Sequence, residues 1–368
     1  MSPPTPVKDT KFWLNQINEL QIPQVINIMN VCGGHERTLA HAGIRSILPS
    51  KIKIIPGPGC PVCVCSEETI QFAINLSRQE NIVVVSFGDM LRVPTNLSRS
   101  KINSLELANA HDGDVIPISS PQEAINYANK NPAKKIVFFA AGFETTCAPI
   151  AAMIEQGIPE NLSLLLALKK TWPIVYALLD DRDNNIDALI APGHVATIMG
   201  SKEWEFINKQ FSLPCAIGGF TETSLLAAIY SVIKQSLTKT STLENRYSLV
   251  VNDIGNTLAQ QIIERCFHVS DSNWRGIGTI RNSGFSLRET YAHLDAEKIY
   301  QHFKPEPHDN IMPPGCECSA VVLGKLNPVE CKLYESACTP EHPIGPCMVS
   351  DEGACHIWWS AGERSIKK

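Results

Sequence analysis

The chain has 368 residues, a formal net charge of −5, 44% hydrophobic and 19% charged residues, the balance of a folded protein long enough for two or three domains. No basic block tracks a phosphate backbone, so nucleic acid is not an expected partner. The longest apolar stretches, residues 82–87 and 136–143, are far short of a bilayer span, and the first 20 residues lack the apolar core of a signal peptide. No membrane association and a cytoplasmic location are therefore expected.

Residues 1–22 read as an N-terminal arm with one short amphipathic helix near 12–20. Residues 25–29 form an apolar run that ends in Cys32-Gly33-Gly34, a strand entering a turn. Residues 51–55 are a second strand, stopped by Pro56-Gly57-Pro58-Gly59. Helical spacing over 67–78 leads to the β-branched strand 82–87, which ends in Gly88-Asp89. The alternation restarts with a helix over 121–129 and a strand over 135–141, which enters Gly142-Phe143-Glu144-Thr145-Thr146. Strands at 188–190 and 214–217 lead into Pro192-Gly193-His194 and Gly218-Gly219-Phe220, with a helix over 223–236. This order predicts an α/β fold of two similar parallel-sheet domains, 23–120 and 121–265. A return segment and a small cysteine-rich C-terminal region, 266–368, complete the chain. That tail is too small to bury a large core of its own, so a metal or cross-links must help hold it.

Thirteen cysteines, an odd number, suit metal ligands, redox thiols and buried small residues better than a disulfide framework in a reducing compartment. Cys316, Cys318, Cys331, Cys338, Cys347 and Cys355 crowd the tail without the spacing of a zinc finger or ribbon. Four such thiolates suffice for a 4Fe-4S cluster; structural zinc and packed thiols are the alternatives. Cys60-Pro61-Val62-Cys63 opens a predicted helix, where backbone dipoles favour a thiolate. It reads equally as a redox dithiol, half of a metal site, or a rigid turn. Cys32-Gly33-Gly34-His35-Glu36 lies at a strand's carboxyl end, the usual ligand edge of an open α/β sheet. Cys32 suits a metal ligand there, with His35 and Glu36 as proton carriers or supporting groups. Cys147, Cys215 and Cys266 sit in apolar contexts and read as buried small residues.

Taken together, these motifs resemble the hydrogenase maturation factor HypD family from Cys32 to Cys355. The carriers are Cys32-Gly33-Gly34-His35-Glu36, Gly57-Pro58-Gly59-Cys60-Pro61-Val62-Cys63, Phe87-Gly88-Asp89-Met90, Gly142-Phe143-Glu144-Thr145-Thr146 and Pro192-Gly193-His194-Val195. Cys338-Thr339-Pro340-Glu341, Gly345-Pro346-Cys347-Met348 and Glu352-Gly353-Ala354-Cys355 extend the match into the tail. The resemblance implies a scaffold that works with the small chaperone HypC to assemble the Fe(CN)2CO unit of nickel–iron hydrogenases. It implies cyanide delivery by HypE, and contact with the hydrogenase large subunit through HypC. Iron is expected on Cys32, with Cys60 and Cys63 as redox or metal-binding partners. A 4Fe-4S cluster is expected on Cys331, Cys338, Cys347 and Cys355, with Cys316 and Cys318 in reserve. A stand-alone iron–sulfur thiol–disulfide reductase, or a scaffold with a purely structural metal, is the rival reading.

Overall fold

The structure, a computed structural model, describes residues 9–96, 102–306 and 312–364; the first eight residues of the expected arm lie outside them. A helix at Thr10–Asn18, capped by the Asp9 carboxylate on Phe12 N–H at 2.8 Å, precedes the first strand. One sheet contains β1 (Ile26–Asn30) and β2 (Ile52–Pro56). A second contains β3 (Ile82–Phe87), β4 (Val115–Ile118), β5 (Lys135–Gly142) and β6 (Leu162–Leu168). The chain then returns to the first sheet with β7 (Ala188–Ala191), β8 (Cys215–Ile217) and β9 (Leu243–Asn245). The strand orders are β2-β1-β7-β8-β9 and β4-β3-β5-β6, and every pairing within them is parallel.

The two sheets confirm the expected α/β class, but each draws strands from both sides of residue 120. β3 and β4 pair with β5 and β6, whereas β1 pairs with β7. Sequence order alone does not say which sheet an apolar strand joins, so a contiguous cut at 120 does not separate the sheets. β6 was not anticipated either. Its run Leu162–Leu168 is apolar without alternation, which local pattern cannot separate from a buried helix, and pairing with β5 along its whole length settles it.

Side-chain alternation distributes the core. Val84, Val137 and Phe139 face one apolar cluster, and Val83, Val85, Ile136 and Phe138 face the opposite one. In the first sheet, Met29 and Leu189 join the cluster of Val84, whereas Ile28, Ala188 and Ile190 pack outward against the helix Glu222–Thr238. The inner faces of both sheets thus share one core.

After the helix Thr257–Cys266 comes the antiparallel pair β10 (Phe267–Trp274) and β11 (Gly278–Leu287), where the sequence showed only turn-rich texture. The tail then enters the shared core. Val321, Val322, Met348, Ile357 and Trp358 belong to the same buried cluster as Val84 and Leu189. Polar ties hold it to both sheets. Trp358 Nε1 donates to Glu36 beyond β1, while Arg92 donates to Pro340 O and Ser350 to Asp89 beyond β3. No helix among the described residues is long and apolar enough to cross a membrane.

Candidate functional site

All five strands of the first sheet run the same way, so their carboxyl ends place Cys32, the Gly57–Cys60 loop, His194 and Phe220 on one edge. A narrow cleft there is lined by Cys32, Gly33, Glu36, Cys60, Cys347 and Glu352. Three segments remote in sequence therefore meet, and glycines allow the approach. A Cβ on Gly59 would lie 2.6 Å from Cys32 Cα and 2.7 Å from the Gly33 nitrogen. Gly33 N–H donates back to Gly59 O at 3.3 Å. On the tail side, a Cβ on Gly33 would meet Glu352 Cβ at 2.6 Å, and one on Gly353 would meet Cys347 O at 2.2 Å.

Cys32 is the N-cap of the helix Gly33–His41 and is half-buried as a residue. Desolvation of its sulfur pushes the thiol up to about 12, against the opposing pull of the His35 and Gly34 amides. A metal ion that binds there must displace the proton. Cys60 and Cys63 are joined as a disulfide, 4% and 0% exposed. It spans the first turn of the short helix Pro61–Val64, and Cys63 N–H faces Cys60 Sγ at 3.1 Å.

His35 and Glu36 are both fully engaged. His35 Nδ1 lies 3.2 Å from Asn30 Oδ1 and Nε2 lies 3.0 Å from Gly218 O. Burial pushes its imidazole down to about 3, so it is neutral near pH 7. Glu36 accepts from Arg45 at 2.6 Å, Trp358 Nε1 at 2.5 Å and Asn30 Nδ2 at 3.0 Å. Arg45 in turn lies over the Trp358 ring, 4.7 Å from its centroid. These contacts fix the Cys32 loop against β8 and the tail, which suits the supporting role that was one of the two expected for this pair.

A further carboxyl group on the cleft is Glu352, which sequence reading quoted only as part of Glu352-Gly353-Ala354-Cys355. The residue stands exposed on the cleft rim. Desolvation of its carboxyl, reinforced by the Asp89 and Asp351 carboxylates, nevertheless pushes it up to about 7. Asn30, Arg45 and Trp358 were missed as well, because their partners lie in other segments. The remaining loops divide. His194 stacks on Phe220 at 3.6 Å, and Phe220 lies 4.7 Å from His35, so both stand beside the cleft. Glu144 instead accepts from Thr171 N–H and Oγ1 at 2.7 and 2.6 Å, a contact within the second sheet's unit.

In the tail, the sulfurs of Cys318, Cys347 and Cys355 lie within 4.8 Å of one another and are buried. Cys316 Sγ is 3.3 Å from Cys318 Sγ. A Cβ on Gly345 would lie 2.4 and 2.6 Å from these two sulfurs, so only glycine fits between. Hydrogen bonds from the Cys318 and Cys355 thiols hold Cys347 well below the ordinary thiol range. The chemistry of this donor set fits a soft metal or a cluster. The grouping differs from the expected ligand set: Cys318, a reserve, stands in it, while Cys331 and Cys338 stand outside it. Cys338 instead accepts from Ile344 N–H at 3.4 Å. Cys147, Cys215 and Cys266 are buried in the core, as expected.

Residues 8–362 match the family HypD, described as "Hydrogenase formation hypA family". The chain belongs to this family of hydrogenase maturation factors. It is 38% identical over 338 residues to the hydrogenase maturation factor HypD of Escherichia coli (strain K12), covering 91% of this chain and 88% of that one. It is 38% identical over 354 residues to a putative hydrogenase expression/formation protein of Methanocaldococcus jannaschii, covering 95% and 96%. To the hydrogenase expression/formation protein HupD of Azotobacter chroococcum it is 36% identical over 347 residues, covering 92% and 89%. HypD membership places the chain in hydrogenase maturation, and the cleft and the tail cysteines are the parts of its fold that offer chemistry for that task.

Proposed function

We propose that this chain is the scaffold on which the Fe(CN)2CO unit of a nickel–iron hydrogenase is assembled, together with a HypC-type small chaperone. The observation that supports it best is the convergence of Cys32, Cys60 and Cys347 on one cleft. Iron is the cargo, held by the Cys32 thiolate, a soft ligand suited to low-spin iron.

Cyanide arrives as a thiocyanate carried by a HypE-type donor. Its transfer breaks the carbon–sulfur bond, passes cyanide to the iron and returns the donor sulfur as a thiol. That reduction needs two electrons, which the oxidation of the Cys60/Cys63 dithiol to a disulfide supplies; of the two protons released, one goes to the donor sulfur and the other leaves the cleft to solvent. The closed Cys60–Cys63 bond is then the oxidised end of the cycle. Glu352, pushed up to about 7, suits a group that exchanges protons in the cleft near neutral pH. A 4Fe-4S cluster in the tail, with Cys318, Cys347 and Cys355 among the residues that would hold it, would supply single electrons when bound.

Infrared spectroscopy of the chain purified anaerobically with its small partner tests the assignment. Wild-type protein should show CN and CO stretching bands. Cys32→Ala should fold, retain its tail metal, lose those bands and fail to restore hydrogenase activity in a strain that lacks the gene. Bands of wild-type intensity in the variant would move the iron away from Cys32.

A further inference from the structure

Arg275 is 0% exposed, in the turn that follows β10. Its backbone N–H donates to Val64 O at 3.1 Å. A Cβ on Gly276 would lie 3.0 Å from Ser319 Cβ. The Arg275–Gly276 turn is therefore held between Val64 and the start of the helix Cys318–Val322. Arg275 Nη2 donates to Glu67 at 3.2 Å and to Pro94 O at 2.8 Å. Nε and Nη1 have no hydrogen-bond partner. The thiols nearest in charge interaction are Cys65, Cys316 and Cys318.

A buried ion pair is commonly a structural device, but a structural guanidinium would have all its donors satisfied. Leaving N–H groups of a cation unpaired in an apolar interior carries a large desolvation penalty. Here Nε and Nη1 remain, on a residue whose turn packs through Gly276 against Ser319, the neighbour of Cys318. Sulfur of a thiolate-held metal centre carries negative charge, and hydrogen bonds to it are among the main controls on such a centre's potential. Arginine suits the task because its charge is permanent and its donors form a rigid fork.

We propose that Arg275 is a positioning residue for the tail metal centre, donating unused N–H groups of Nε and Nη1 to the centre's sulfur and raising its reduction potential. The inference rests on the reading of the tail cysteines as a metal site, and it adds a regulator from outside the cysteine ladder.

The test compares wild type, Arg275→Gln, Arg275→Lys and Glu67→Gln after anaerobic reconstitution with iron and sulfide. Iron content, absorption spectra, melting temperature and midpoint potential are measured on each. Loss of the positive charge should lower the reduced-to-oxidised ratio at a fixed potential about tenfold in Arg275→Gln, which is about 59 mV for one electron. Arg275→Lys keeps the charge without the fork and should shift less. Glu67→Gln removes the counter-charge and should shift the potential the other way, so the proposal stays testable even if Arg275→Gln folds poorly. Iron-loaded variants with unmoved potentials and lowered melting temperatures would show a purely structural pair and overturn the proposal. Wild-type protein that binds no iron would instead overturn the metal-site reading, and this proposal with it.

Discussion

At the scale of single residues, the cleft separates groups that hold from groups that react. His35 and Glu36 have the residue types of an acid–base pair, yet every polar atom of theirs is engaged by Asn30, Gly218, Arg45 or Trp358. A buried carboxylate with three donors is anchored in place. Glu203 offers a clean check on the electrostatics away from the cysteines. Burial, and then the Glu144 carboxylate, push it up to about 8, with Lys170 at 3.6 Å opposing. Its folded pKa lies above the unfolded value, so its contribution to stability is fully present below about pH 4.5 and is lost as pH rises through about 8. Glu203→Gln should therefore flatten the stability profile between pH 6 and 8.5, with a gain at the alkaline end on the order of 1 kcal/mol. Chemical denaturation of both proteins across that range measures it, and parallel profiles would show that Glu203 titrates normally.

At the scale of elements, the decisive structures are loops at strand ends, and small residues set how closely they approach. Gly59 lies against the backbone of Cys32 and Gly33, which cannot move aside as a flexible side chain would. Gly59→Ala should push the two loops apart and cost about 1–3 kcal/mol, the usual penalty for overpacking. It should also abolish hydrogenase maturation while leaving iron in the tail, because the atoms nearest a Cβ there belong to Cys32 and Gly33. Urea denaturation, iron analysis and complementation give the three readouts. A variant of unchanged stability and full maturation would show that the loops tolerate separation.

At the scale of the whole molecule, the tail is part of the central core rather than an appendage. Val321, Met348 and Trp358 share a cluster with residues of both sheets. Metal bound by the tail must then stabilise more than the tail, since binding free energy to the folded state is linked to every element that unfolds with it. Chelation should lower the melting temperature of the whole chain, and hydrogen exchange should speed up in β1 and β3 as well as over 312–364. Faster exchange confined to 312–364 would mean that the tail opens independently of the sheets.

The sequence by itself determined the strands that carry the site. The β-branched run Ile82–Phe87 and the glycine-rich stops after β1 and β2 are local features, and the strand at 82–87 has the bounds the pattern predicts. The chemistry-bearing cysteines were legible too, because crowded thiols have few other uses. Tertiary structure alone decided which strands share a sheet, since buried parallel strands are all similarly apolar and nothing local marks their partner. It alone brought Cys318 rather than Cys331 or Cys338 to Cys347 and Cys355, because the fold of a loop-rich segment is set by what it packs against. It alone revealed Arg275, whose significance lies in Nε and Nη1 left unpaired in a turn that packs against Ser319, more than forty residues away.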